Sequence, residues 1–214
     1  MRKNLLIVFV KNSILGKVKT RLAKTIGDVA AFKVYAELVA ITENATSKIA
    51  ADKHICFSDV IIPSKWRNDK KCVQQGKDLG IRMQNAFQNG FDLGYENILL
   101  IGSDLPDISK EIIESGFDSL QHNNVVFGPA EDGGYYLIGM SEMNTSIFQN
   151  KPWSQSELLA ITLSQLKEQQ KSIGILETLN DIDTFEDLIN SDFCKKNPDI
   201  QEIVQQNILK QVQQ

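Results

Sequence analysis

Histidine and cysteine are scarce in this chain of 214 residues, which holds two histidines, His54 and His122, and three cysteines, Cys56, Cys72 and Cys194. Zinc centres and histidine-based nucleophilic triads draw on those side chains, so two histidines and no Cys-x-x-Cys spacing leave little from which to build either. The odd, scattered cysteines read as three reduced thiols in a cytoplasmic protein. No apolar stretch approaches the roughly 20 residues that span a bilayer, so no membrane insertion is expected. The opening Met1-Arg2-Lys3-Asn4 and the apolar residues 5–10 have the order of a signal peptide, but the run stops at Lys11 without a small-residue cleavage site and reads as a strand. Positive charge is also not in excess. With 23 Lys and Arg against 27 Asp and Glu, the net charge is -4, and no basic face for general nucleic-acid binding is expected.

What is present is ordinary for a globular protein: 42% hydrophobic and 23% charged residues. The length fits a single domain, expected over residues 1–195, with residues 196–214 as a Gln-rich helical extension. Residues 5–10 form a continuous apolar run rich in β-branched side chains, which predicts a central strand buried on both faces. Val29, Phe32, Tyr35, Ala36, Val39 and Ala40 give one helical stripe over residues 28–49, and Leu79, Met83, Ala86, Phe87 and Phe91 give another that ends near Gly94. Strands are expected at 53–58, 98–101, 125–127 and 173–176, and helices at 109–120, capped by Ser109, and 155–169, opened by a Ser154–Glu157 capping box. Residues 59–75, with Pro63 and Trp66, show no clear period; Trp66 reads as packing. Strands alternating with helices at short spacing predict a doubly wound, mostly parallel α/β sheet.

Four stretches carry chemistry. The run 98–101 ends at Gly102-Ser103-Asp104, which puts a carboxylate at the carboxyl end of a strand, where open α/β sheets bind ligands. Taken alone, Asp104 could equally cap or turn the chain. After the first strand, Gly16 permits close backbone approach, and Lys17, Lys19 and Arg21 place three cations in five residues, offering charge and backbone N–H groups to phosphate; a solvated basic turn is the alternative. Glu131 and Asp132 are displayed at a turn completed by Gly133 and Gly134, tandem glycines that permit close backbone approach by a nucleotide or phosphate, although this is also the pattern of a plain hairpin. Asp181 and Asp183 are two apart and project to one side of extended backbone, which suits a shared cation, although Asp183 with Glu186 also reads as a helix cap. A doubly wound sheet would bring these stretches to one edge. Asp104 with Asp181 or Asp183 could then hold Mg²⁺ bridging a nucleotide diphosphate.

The segments Gly16–Ala23, Gly102–Asp107, Gly128–Gly139 and Asp181–Leu188, in this order, resemble the DUF2064 family of GT-A-like transferases, relatives of 2-phospho-lactate guanylyltransferase and of MobA-like nucleotidyltransferases. The resemblance spans residues 5 to 190. It implies a GT-A-like nucleotide-diphospho-sugar transferase fold, with Asp104 as the metal aspartate, Asp181 and Asp183 completing a Mg²⁺ or Mn²⁺ site, and the basic loop holding phosphates. Two departures stand out: Asn12-Ser13-Ile14-Leu15 lacks the proline usual in that loop, and the Gly-Gly-x-x-x-Arg-Met-Gly fingerprint of sugar nucleotidyltransferases is missing. The leading expectation is a metal-dependent glycosyltransferase taking a nucleotide sugar and a small-molecule acceptor, with Glu131 and Asp132 on the acceptor side and Asp132 as base. The alternatives are a nucleotidyltransferase joining an NTP to a phosphorylated small molecule, and a nucleotide-binding module without chemistry.

Overall fold

The computed structural model describes residues 3–212. Met1, Arg2 and the last two residues of the Gln-rich tail lie outside that range. Strands β1 (Asn4–Val10), β2 (Asp52–Phe57), β3 (Lys70–Val73), β4 (Asn97–Ile101), β5 (Val125–Pro129), β6 (Tyr135–Met140) and β7 (Ile173–Ile175) form one sheet in the order β3-β2-β1-β4-β6-β5-β7. β1 is parallel to both of its neighbours, β2 and β4. Only β6 runs against the rest, pairing antiparallel with β4 and β5, because the turn at residues 131–134 returns the chain at once. The helices are α1 (Thr20–Ile26), α2 (Asp28–Thr46), α3 (Leu79–Asp92), α4 (Lys110–Ser119), α5 (Leu158–Glu168), α6 (Phe185–Asn190), α7 (Asp192–Lys196) and α8 (Pro198–Val212).

β1 shows why the sheet is covered twice. Leu5, Ile7 and Phe9 pack with Met83 and Phe87 of α3 and Leu166 of α5. The alternate residues Leu6, Val8 and Val10 pack with Tyr35 and Val39 of α2 and Ile113 and Phe117 of α4. Each such side chain, fully withdrawn from water, contributes roughly 1.5–3 kcal/mol, so β1 and β4 form a rigid centre from which loops can be hung. A third cluster joins Leu22 and Ile26 of α1, Val34 and Leu38 of α2, Ile182, and Ile200 and Val204 of α8.

Three local expectations are corrected. Cys56 and Cys72 are not reduced thiols: β2 and β3 pair in a register that sets them opposite each other, with Cα atoms 4.6 Å apart, and they form a disulfide, while Cys194 stays free and buried. Residues 59–75 conceal the strand β3. The Ser154–Glu157 capping box does not form either. Ser154 sits at φ 62, and α5 begins at Leu158 with no side-chain cap, because Leu159 N donates to Gly133 O (3.0 Å) and draws this segment onto the Asp132–Gly134 turn.

Candidate active site

The carboxylates are positioned by separate devices. Asp104 stands three residues beyond the end of β4, and Ser109 caps α4 behind it by accepting from Ile112 N. Next to Asp104 in the chain, buried Ser103 Oγ lies 3.0 Å from the Tyr35 hydroxyl, which also donates to Lys11 O (2.9 Å) and accepts from Lys11 N (3.0 Å). Tyr35 thereby ties the loop after β1 to the loop after β4. Burial pushes its hydroxyl up to about 12, so it remains a protonated donor.

Asp181 and Asp183 arrive on extended chain that continues past β7. Leu179 bridges Ala130 in parallel, donating to Pro129 O and accepting from Glu131 N, both at 3.1 Å. Ile182 then turns into the third apolar cluster, 1% exposed, and its neighbours face the other way. The expected Asp183–Glu186 cap is one residue out of step: Thr184 and Asp187 form the capping box that opens α6, which leaves the Asp183 carboxylate unused by the helix.

One carboxylate oxygen from each of Asp104, Asp181 and Asp183 lies within 4.8 Å of the others. Among them sits Lys19. Its Nζ is 3.0 Å from Asp104 Oδ2 and 2.9 Å from Asp183 Oδ1, and its side chain is 4% exposed. Burial favours the neutral amine, but the two carboxylates outweigh it and hold Lys19 above the ordinary lysine value. Lys17 and Arg21 stay exposed, and Arg21 lies 3.8 Å from Asp183. The basic loop is therefore divided: one cation is seated among the aspartates and two face solvent. Among the described residues Asp181 forms no such ion pair. Burial, then repulsion from Asp183 and Asp104, raises its carboxyl to about 6. Three oxygen donors with negative charge left uncompensated suit a hard divalent cation such as Mg²⁺ or Mn²⁺.

Two cavities meet at Asp104. One, about 230 Å³, is lined by Lys11, Lys19, Arg21, Tyr35, Asp104 and Asp183. The other, also about 230 Å³, is lined by Asp104, Asp132, Asp181, Tyr135, Trp153 and apolar side chains including Leu79, Met83 and Leu158, with no Lys, Arg or His among the described residues. Asp132 Oδ1 accepts from Gly134 N (2.8 Å), which fixes the turn and holds the carboxylate at its tip. Gly134 lines this cavity. Gly133, at φ 88, is packed so closely that a Cβ would collide with the Ser156 carbonyl, so its close approach is to its own chain. Glu131 is exposed and lines neither cavity. Gly16 occupies the left-handed position (φ 77) of a turn closed by Lys17 N donating to Ile14 O.

Of the aromatic walls, sequence reasoning left Trp153 open between ligand stacking and packing and did not single out Tyr135. The Tyr135 hydroxyl is buried and has no hydrogen-bond partner among the described residues. The one available signal was a doubled tyrosine immediately after the Asp-Gly-Gly turn. Also missed was a third cavity, about 330 Å³, which shares Phe9 with the aromatic-walled one and adds Gln74, Arg82 and Asn85 from the poorly patterned region and α3.

The fold is that of the nucleotide-diphospho-sugar transferases. A crystallised Desulfovibrio desulfuricans G20 protein, provisionally described as a nucleotide-diphospho-sugar transferase, superposes with a TM-score of 0.85 at 32% identity over 98% of this chain and 96% of its own. More distant likenesses include a cytidylyltransferase from Leptospira borgpetersenii (TM-score 0.56, 13% identity, 97% and 95% of the two chains) and the inositol-1-phosphate CTP transferase of T. maritima (0.54, 11%, 96% and 96%). Residues 25–155 match the family described as "Uncharacterized protein conserved in bacteria (DUF2064)", and the chain belongs to that family. No curated protein matches it significantly. Among the described residues no helix is long and apolar enough to cross a membrane.

Proposed function

We propose that the protein is a metal-dependent glycosyltransferase that takes a nucleotide-sugar donor. The observation that carries this reading is the division of the site at Asp104: cations line the cavity on one side, and an aromatic, cation-free cavity with three aspartates lies on the other. A diphosphate belongs with Lys11, Lys17 and Arg21, and the uncharged sugar belongs against Tyr135 and Trp153. Asp104, Asp181 and Asp183 would hold Mg²⁺ or Mn²⁺, which would supply positive charge to the leaving phosphate. Lys11 and Arg21 add to that stabilisation, because they line the cavity assigned to the diphosphate. Asp132, exposed on its turn and lining the sugar cavity, takes the proton from the acceptor hydroxyl. A nucleotidyltransferase acting on a phosphorylated acceptor would need cations to bind that second phosphate, and the aromatic cavity offers none.

The test is a thermal-shift panel of NTPs and UDP-, GDP- and dTDP-sugars, with and without Mn²⁺, run beside Asp104→Ala. A ligand at about 100 times its Kd adds roughly 2.7 kcal/mol, well within what a melting curve resolves. Metal-dependent stabilisation by one nucleotide sugar, lost in the variant, supports the proposal and names the donor. Stabilisation by an NTP alone, with the nucleotidyl group transferred to a phosphorylated acceptor and pyrophosphate released as the leaving group, overturns it in favour of nucleotidyl transfer.

A further inference from the structure

We propose that Lys19 and the divalent cation compete for the same carboxylates, so that metal entry expels the Lys19 ammonium from the aspartates toward the donor phosphates. This rests on the metal site of the proposed function and adds a coupling between its two ligands. The Lys19 Nζ bridges Asp104 Oδ2 and Asp183 Oδ1 at 3.0 and 2.9 Å, the oxygens of two of the three candidate ligands. Mg²⁺ takes such oxygens at roughly 2.0–2.1 Å. An ammonium held against the same carboxylates would then lie within a few ångströms of the ion, close enough for the two positive charges to repel.

The structure supplies both a reason for the ammonium to stay and a place for it to go. It stays because three carboxylates converge and Lys19 is the buried cation among them; its backbone is held for the purpose at φ 46, an uncommon conformation for a residue other than glycine, with Lys19 O accepting from Ala23 N at 2.8 Å. It can leave because the cationic cavity opens directly beside it, bordered by Thr20, Arg21 and Tyr35. With metal in place, the displaced ammonium joins Arg21 in that cavity and faces the donor's phosphates. Lys19 is thus a stand-in cation when metal is absent and a phosphate ligand when it is present, and metal and donor bind with positive cooperativity.

The experiment titrates Mn²⁺ alone, followed by the electron paramagnetic resonance of the free ion, into the parent protein, Lys19→Met and Asp104→Ala, and then repeats the titration with a nucleoside diphosphate. Lys19→Met should bind Mn²⁺ alone more tightly than the parent, by about fivefold or more, and should bind the nucleotide with Mn²⁺ less tightly. If the parent binds Mn²⁺ and Lys19→Met binds it no better, the competition is overturned and the metal site stands. If the parent binds Mn²⁺ no better than Asp104→Ala, the metal site itself falls, and this inference with it. A measurement on the parent avoids dependence on the variant's folding: the side-chain ammonium resonance of Lys19, protected from exchange by its ion pairs, should disappear at saturating Mg²⁺, and its persistence would sink the proposal.

Discussion

Trp153 rests on Gly80: a Cβ built at that glycine would lie 2.6 Å from the indole ring. One wall of the aromatic cavity is therefore set by the missing side chain on α3. Gly80→Ala should displace Trp153 and change the shape of the cavity. Helix propensity favours alanine by about 1 kcal/mol, while overpacking costs about 1–3 kcal/mol, so the melting temperature should fall only slightly. Tryptophan emission should shift and sugar-nucleotide affinity should drop. An unchanged spectrum with unchanged affinity would remove Trp153 from the binding wall.

The pH dependence of the metal-free protein should carry the mark of Asp181. Its carboxyl is raised to about 6 in the folded protein from 3.8, so the native state holds this proton more tightly than the unfolded chain. The resulting stability is complete below about pH 4 and is lost as pH rises through about 6. Asp181→Asn, measured by urea unfolding in EDTA, should gain on the parent between pH 4.5 and pH 7. A difference that does not vary with pH would rule out the proposed electrostatic strain.

Lys17 and Arg21 are exposed, and their replacement opens no cavity in the core. The double variant Lys17→Ala, Arg21→Ala should fold normally. It should bind the nucleotide donor about tenfold less tightly, about 1.4 kcal/mol, with a shallower dependence of affinity on salt. An unaltered salt slope would separate these cations from phosphate.

For Asp132→Asn the amide oxygen can still accept from Gly134 N, so the turn should survive. Loss of a general base should lower kcat by about 10²–10⁴ and leave KM nearly unchanged. A kcat close to that of the parent would assign the proton transfer elsewhere.

The Cys56–Cys72 disulfide closes a loop with a sequence separation of 16. In the chain-entropy description a loop of this size is worth about 3 kcal/mol. Unfolding midpoints with and without a reductant should differ accordingly. Coincident curves would show that the β2–β3 pairing alone sets the stability of this edge.

The sequence made the central scaffold readable because burial on both faces of β1 and β4 forces unbroken apolar runs, and because α3 carries an apolar stripe at helical spacing; in α2 the helix was legible but its face only in part, since Val29 is exposed while Val34 and Leu38 are buried. β3 escaped because Lys70-Lys71-Cys72-Val73 is a short, half-exposed edge strand, where lysines are tolerated and no apolar run is needed. Asp104, Asp181 and Asp183 could be picked out, since carboxylates beyond strand ends are conspicuous. The partnership of Lys19 could not. It joins residues 85 and 164 positions apart, and a linear reading shows that a charge exists without showing which opposite charge it meets.

Ile182 gives the last helix influence over chemistry it never touches. The aspartates on either side of it are aimed by its burial, and the apolar cluster that buries it is completed by Ile200 and Val204 of α8. The spacing of the three carboxylates is accordingly only as fixed as the seating of α8 against α1 and α2. Transient detachment of that helix would unseat Ile182 and blur the spacing of the carboxylates while the sheet remained intact, so the lifetime of the aspartate cluster should follow the local opening of α8 and not the global unfolding of the protein.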